Sequence, residues 1–177
     1  MHLDEKPCSL PEIFRGLQNI IHGDINAKQL ELFVDTVDVR NEDIICDKLR
    51  LNQVLLNLLS NAVKYTVSGG KITMRITEIA GAPEGFANYE FLIKDTGIGM
   101  SEVFVSHIFE PFERERNSTI SGIQGTGLGM AITKNIVDMM NGRIEVKSQQ
   151  NVGTECKVSF MLKQLSSRLV VVVRVSA

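Results

Sequence analysis

Tryptophan is absent from the 177 residues, tyrosine occurs twice and cysteine three times. Cys8, Cys46 and Cys156 are odd in number, widely spaced and outside any metal-ligand pattern. This argues against a disulfide framework and against a zinc site, and favours reduced, mainly structural thiols in a cytoplasmic protein. An excess of basic charge is also lacking. Nineteen Lys and Arg against 21 Asp and Glu leave a net charge of −2, with no electrostatic footprint for nucleic acid. No apolar run approaches the length of a bilayer span, and the N-terminus has neither the basic nor the apolar region of a signal peptide. Direct membrane contact by this chain is therefore not expected. Internal repeats and low-complexity tracts are missing too. What remains, 44% hydrophobic and 23% charged, is the composition of a globular domain long enough to bury a core.

The pattern of elements is legible along most of the chain. "SLPE" places Glu12 three residues after Ser9, a capping box that opens a first helix. Leu10, Ile13, Phe14, Leu17, Ile20 and Ile21 form its apolar stripe. "LELFVDTV" (30–37) and "DIIC" (43–46) read as a strand pair. A second helix runs from about Asp47 to Tyr65. "KITMRITEI" and "YEFLIKD" alternate as strands, the second ending at Asp95. From about 98 to 124 there is little regular pattern, and loops of that length are usually functional, often lids. A third helix runs from about Thr126 to Met140, stopped by Asn141-Gly142. "RIEVKS" and "TECKVSFML" then read as a closing hairpin. This order predicts an α+β fold, a two-layer sandwich of about three helices on a mixed, mostly antiparallel sheet of about five strands. The expected organisation is a linker over 1–8, one domain over 9–163 and a tail over 164–177. The tail's unbroken valines, in "RLVVVVRVSA", would make a sticky edge strand.

Three stretches carry chemistry. "GTGLGMAITKNIV" (125–137) sets three glycines at alternate positions before a helix. A helix N-terminus collects unpaired N–H groups and partial positive charge, and glycines let an anion approach the backbone, so phosphate is the natural ligand. In "DKLRLNQVLLNLLSNAVKYT", Asn57, Asn61, Lys64 and Tyr65 fall at i, i+4, i+7 and i+8, along one face. A solvated polar face shows the same spacing. Asparagine, however, is a poor helix former, and its amide oxygen is a hard ligand suited to Mg²⁺. Lys64 adds positive charge for phosphates, and Tyr65 a flat face for a base. In "DTGIGM" (95–100), Asp95 is an acceptor-only group that suits an exocyclic amine, and Gly97 and Gly99 let the backbone curl beside a ring. Taken alone, that stretch is equally an Asp-capped strand-to-turn connection. The glycine spacing does not match a Rossmann fingerprint, and the Gly-Lys-Ser/Thr ending of a Walker loop is absent.

Together the three stretches resemble the ATP-binding catalytic domain of sensor histidine kinases, within the superfamily that also holds gyrase, Hsp90 and MutL. "NQVLLNLLSNAVKYT" is similar to the family's asparagine box, "DTGIGM" to its first glycine box and "IFEPF" (108–112) to its phenylalanine box. "GTGLGMAI" is similar to its second glycine box and "GTEC" (153–156) to its final Gly-Thr element. All stand in family order over about residues 9–163. The resemblance implies a Bergerat-type sandwich with ATP and Mg²⁺ as cofactors. It also implies roles. Asn61 matches the Mg²⁺ ligand and Asn57 the polar residue one turn before it. Lys64 and Tyr65 match contacts to phosphate and adenine, so that Asn57 and Lys64 stand nearest the chemistry. Asp95 matches the reader of adenine, supported by Thr154, while Gly97 and Gly99 flank the base. Gly125, Thr126, Gly127, Leu128 and Gly129 match the phosphate loop and hinge. Phe109 and Phe112 match lid anchors, and Arg114 or Arg116 would meet the terminal phosphate.

ATP-hydrolysing members of the superfamily place a carboxylate where this chain has Asn57. An amide cannot act as a general base toward water, which favours a kinase-type domain. None of His2, His22 and His107 stands in the family's phosphoacceptor box. The chain is therefore expected to supply the γ-phosphoryl group to a histidine-containing dimerisation domain of its parent protein, without phosphorylating itself. A downstream response regulator receiver domain is the implied further partner. The alternatives are a non-catalytic nucleotide-sensing or docking module, or a slow ATPase of the same superfamily.

Overall fold

Two side-chain caps fix where the long helices begin. Ser9 Oγ accepts from Glu12 N at 3.4 Å, and a carboxylate oxygen of Asp47 accepts from Arg50 N at 3.1 Å. Each satisfies an N–H group that the first turn leaves without a partner. The computed structural model describes residues 2–112 and 127–165. Among them the elements run β1 (Lys6–Ser9), α1 (Leu10–Ala27), β2 (Glu31–Val37), β3 (Asp43–Cys46), α2 (Lys48–Tyr65), β4 (Lys71–Ile79), β5 (Phe86–Asp95), α3 (Glu102–Ser106), α4 (Gly129–Met139), β6 (Arg143–Gln149) and β7 (Gly153–Gln164).

The fold is the expected α+β sandwich, but among the described residues the sheet has seven strands rather than about five, in the order β1-β3-β7-β5-β4-β2 with β6 also on β7. Six of these strands correspond to the stretches read as strands in the sequence, and the further one is β1. β1 was hidden by its brevity and its proline, and it lies partly within the expected linker. β2 pairs with β4 in parallel, and the remaining pairs are antiparallel. The expected pairing of 30–37 with 43–46 does not occur. β2 sits on one edge of the sheet, and β3 lies between β1 and β7 on the other side. The short gap between them fits a hairpin by length, yet it crosses the end of the sheet. Asn41 holds it there, its backbone N–H and side chain donating to Glu78 and its carbonyl accepting from Tyr89 Oη at 2.5 Å.

Helical and strand periodicities meet in one core. Leu10, Ile13, Phe14, Leu17, Ile21 and Ile25 of α1 are buried, and so are Leu51, Val54, Leu55, Leu58 and Leu59 of α2. They pack with Ile72, Met74 and Ile76 of β4 and with Phe91, Val158 and Phe160 of the central strands. Ile20, expected in the α1 stripe, is 62% exposed. The stripe follows positions 13, 17, 21 and 25, and residue 20 falls off its edge. Charged pairs such as Asp35–Arg75 remain solvent-exposed. α3, in the stretch read as patternless, has five residues and buries none of them. The expected start of the third helix near Thr126 lies outside the described residues, and α4 begins at Gly129.

Candidate functional site

The polar face of α2 is half-buried rather than freely solvated at Asn57, Asn61, Lys64 and Tyr65. Asn57 Nδ2 donates to Thr133 Oγ1 at 3.2 Å and lies 3.5 Å from Gly129 O. The Thr133 hydroxyl itself donates to Gly129 O at 2.8 Å. A carbonyl only accepts, and a hydroxyl that donates to it keeps its lone pairs for another donor. The amide nitrogen of Asn57 is thus the atom facing α4, and its oxygen is turned away. One turn further on, the Asn61 side chain makes no hydrogen bond among the described residues. Two amide oxygens are thereby available one helical turn apart.

The C-terminal end of α2 is held by a cation. Lys28 Nζ donates to Val63 O at 2.6 Å and to Lys64 O at 3.2 Å, where helix carbonyls lack partners and carry partial negative charge. The Lys64 ammonium stands 5.6 Å from the centre of the Tyr65 ring. Tyr65 O accepts from Ile98 N at 3.1 Å, which docks the loop after β5 onto the helix end. The glycines of that loop are required sterically. A Cβ on Gly97 would lie 2.5 Å from Tyr65 O. Gly99 has φ +65, and a Cβ there would fall 1.9 Å from Gln149 O.

Asp95 ends β5 and is 9% exposed. One of its oxygens, Oδ1, accepts both from Gly97 N at 2.8 Å and from Thr154 N at 3.3 Å. Its second oxygen takes no donor among the described residues. Burial raises the carboxyl pKa above its ordinary value, and the two N–H donors work against that rise. Thr154 is fixed in turn. Its hydroxyl meets Ser148 Oγ at 2.8 Å, and Ser148 Oγ accepts from Met100 N at 2.9 Å. Asn151 N donates to Ile98 O at 2.7 Å. The turn between β6 and β7 is stitched to the Asp95 loop by these bonds.

At the start of α4 the first helical bond runs from Ile132 N to Leu128 O at 2.9 Å. The N–H groups of Gly129, Met130 and Ala131 therefore have no intrahelical acceptor. Gly127 precedes them with φ +73, and its carbonyl accepts from Phe112 N at 2.9 Å. Phe109 packs against the core, whereas Phe112 is 73% exposed. Gly125, Thr126, Arg114 and Arg116 lie outside the described residues. Among the described residues no cluster of His, Cys, Asp and Glu could hold a metal, so the hard oxygens of Asn57 and Asn61 are the candidates. Thr133, Ser148 and Lys28 escaped the sequence reading. Each acts on a residue distant in the chain, and no local pattern marks it.

The family described as histidine kinase-, DNA gyrase B- and HSP90-like ATPases matches residues 46–165. The chain belongs to this family. Among curated proteins, the autoinducer 2 sensor kinase/phosphatase LuxQ of Vibrio parahaemolyticus is 37% identical over 163 residues, covering 92% of this chain and 19% of its own length. The sensor histidine kinase GacS of Pseudomonas protegens is 34% identical over 160 residues, covering 90% of this chain and 17% of its own. The chain thus spans about a fifth of the length of the curated relatives it matches. Among solved structures, full-length ShkA in complex with AMPPNP superposes with a TM-score of 0.78 at 25% identity, over 94% of this chain and 33% of that one. The nucleotide-free catalytic domain of the histidine kinase ThkA gives 0.72 at 24% identity, over 89% of this chain and 97% of that one, which shows the shared fold. The chain is accordingly an ATPase domain of the sensor histidine kinase type. The ATPase domain contains, among its described residues, no helix long and apolar enough to cross a membrane.

Proposed function

We propose that this domain binds Mg²⁺-ATP and supplies the γ-phosphoryl group to a histidine on a dimerisation domain of its parent protein, from which a response regulator receiver domain draws it. The observation that carries the reading is Asp95: a buried carboxylate with one oxygen clamped by two backbone N–H groups and the other left open. An open acceptor held this rigidly suits the exocyclic amine of adenine. Around it the residues present fit a magnesium nucleotide. Tyr65 and the close backbone at Gly97 and Gly99 border the base. Lys64 and the N-terminus of α4 offer positive charge to phosphates. Asn57 and Asn61 offer amide oxygens to Mg²⁺, and the Thr133 contact sets the direction of the first.

Phosphoryl transfer depends mainly on placement and charge neutralisation, and bound Mg²⁺ contributes the latter. The chain's own part is to hold the nucleotide in line and to avoid activating water. An amide at Asn57 accepts no proton from water, which favours transfer over hydrolysis. The relatives agree in kind: LuxQ and GacS are named as sensor kinases, and ThkA has been crystallised with the response regulator TrrA. The site would then work on the cytoplasmic side of its parent.

The test has two parts. Calorimetry with ATP and GTP, with and without Mg²⁺, should give strong preference for ATP and Mg²⁺-dependent affinity that Asn61→Ala abolishes. With labelled ATP, the chain alone should stay unlabelled. Adding the parent's helical domain should give an acid-labile, base-stable phosphate on that domain. Binding without transfer under those conditions supports a nucleotide-sensing module instead, and label on this chain alone refutes the reading.

A further inference from the structure

Two thiols outside the nucleotide site lie against one another. Cys8 is on β1 and Cys46 on β3, and both are free. In the antiparallel register Cys8 faces Ile44 and Lys6 faces Cys46. Cys46 is therefore two residues along from the partner of Cys8, on the same face of the sheet. Their sulfurs are 2.9 Å apart. A disulfide of about 2.05 Å requires them to close by roughly 0.9 Å. The two are not equivalent. Cys46 is 1% exposed, whereas Cys8 is only half-buried and reaches solvent at the sheet edge. Burial, the hydrogen bond with Cys8 and the nearby Asp47 and Glu5 carboxylates all keep Cys46 in its thiol form. The third cysteine, Cys156, is buried on β7.

We propose that Cys8 and Cys46 form a thiol–disulfide exchange site whose substrate is a low-molecular-weight disulfide, with Cys8 as the attacking thiol and Cys46 as the resolving one. In the first step the Cys8 thiolate attacks one sulfur of the small disulfide. A mixed disulfide forms on Cys8 and one small thiolate leaves. In the second step the Cys46 sulfur attacks Cys8 Sγ, a second small thiol departs with the proton from Cys46, and the Cys8–Cys46 bond closes. Two cysteines lose two electrons in total, and one small disulfide becomes two thiols. The closing attack needs the Cys46 sulfur to give up its proton, which burial opposes, so that step quickens as pH rises.

The consequence is mechanical. Among the described residues β1 pairs only with β3, through four residues at the sheet edge. The new bond would tie β1 covalently to the strand that leads straight into Asp47, the cap of α2. It would also close a loop containing all of α1 and β2, which restricts the unfolded chain.

The whole chain, reduced and then equilibrated with oxidised and reduced glutathione, is digested without reduction and mapped by mass spectrometry. The expected product is a Cys8–Cys46 linked peptide lighter by two hydrogens, with Cys156 still reduced. Melting of the oxidised protein should rise by roughly 5–10 °C and return on adding dithiothreitol. Cys46→Ser should accumulate a stable glutathione adduct on Cys8, and Cys8→Ser should take up none. Thiols left unreacted, an adduct that persists on Cys8 of the unsubstituted chain, or a bond involving Cys156 or a second copy would each overturn the proposal. The map of the unsubstituted chain decides even if a variant folds poorly.

Discussion

Asn57 and Thr133 join α2 to α4 through a hydrogen bond of 3.2 Å between residues far apart in the chain, with Gly129 O a longer second acceptor at 3.5 Å. Thr133 is fully buried, and its hydroxyl is saturated by Asn57 on one side and Gly129 O on the other. The bond decides which way the Asn57 amide points.

Replacing Thr133 with valine keeps the shape and removes that control. A lost buried hydrogen bond of this kind is worth about 1 kcal/mol or slightly more. Thr133→Val is thus expected to bind Mg²⁺-ATP about tenfold more weakly by calorimetry, whereas Thr133→Ser stays near the parent value. Equal affinity in the valine variant would show that Asn57 needs no such guide.

Asp95→Asn should separate stability from binding. The amide keeps an oxygen for Gly97 N and Thr154 N but puts an NH₂ where the open carboxylate oxygen stands. Two donors would then face each other across the adenine amine. The expected outcome is a higher melting temperature without nucleotide, since a desolvated charge is gone, and ATP affinity lowered by about two orders of magnitude. A variant that melts higher and binds ATP normally would remove Asp95 from the base site.

The same carboxylate sets a pH dependence of known sign. Its native pKa is raised, so between the unfolded and native values the folded chain holds more protons than the unfolded one. The contribution of Asp95 to stability therefore falls as pH rises through that window and is level above it. Urea denaturation at a series of acidic pH values should show the gap between Asp95→Asn and the unsubstituted chain shrinking as pH is lowered. Asp35 behaves oppositely. Its hydrogen bond to Arg75 holds its pKa below the ordinary value, and what it contributes is lost as pH falls.

Two glycine-to-alanine changes should have opposite effects. Gly99→Ala places a methyl against Gln149 O at a positive φ and should cost more than about 2 kcal/mol, with loss of ATP binding. Gly16, in the middle of α1, has nothing within 4 Å of an added Cβ. Gly16→Ala should stabilise by about 0.5–1 kcal/mol. Chemical denaturation of both variants checks the contrast.

What the sequence revealed followed from the range of each interaction. Ser9 with Glu12 and the cap at Asp47 act within one helical turn, and both helix starts were readable. The alternation of Ile72, Met74 and Ile76 declared β4. The closing hairpin of β6 and β7 was readable from two adjacent runs, but the partner of β2 was not, because its backbone finds β4 rather than its neighbour β3. In the site, Asn57, Asn61, Lys64 and Tyr65 share a helix face by simple periodicity, and the structure brings Asp95, Gly97 and Thr154 to the end of that helix. The hydroxyls of Thr133 and Ser148 and the ammonium of Lys28 were invisible, since a side chain that orients another acquires that task only when the chain folds back.

β7 is the hub of the sheet, flanked by β5 along one edge and by β6 and β3 along the other, and it is the last of the described strands. A ribosome makes the middle of this sheet after its margins. While β5 and β4 wait, the edge that β7 will cover is bare, and Asp95 has no Thr154 amide to clamp it. At the site proposed above, nucleotide cannot favour the fold until that strand has emerged, so ATP would act on the finished domain and not on the growing one.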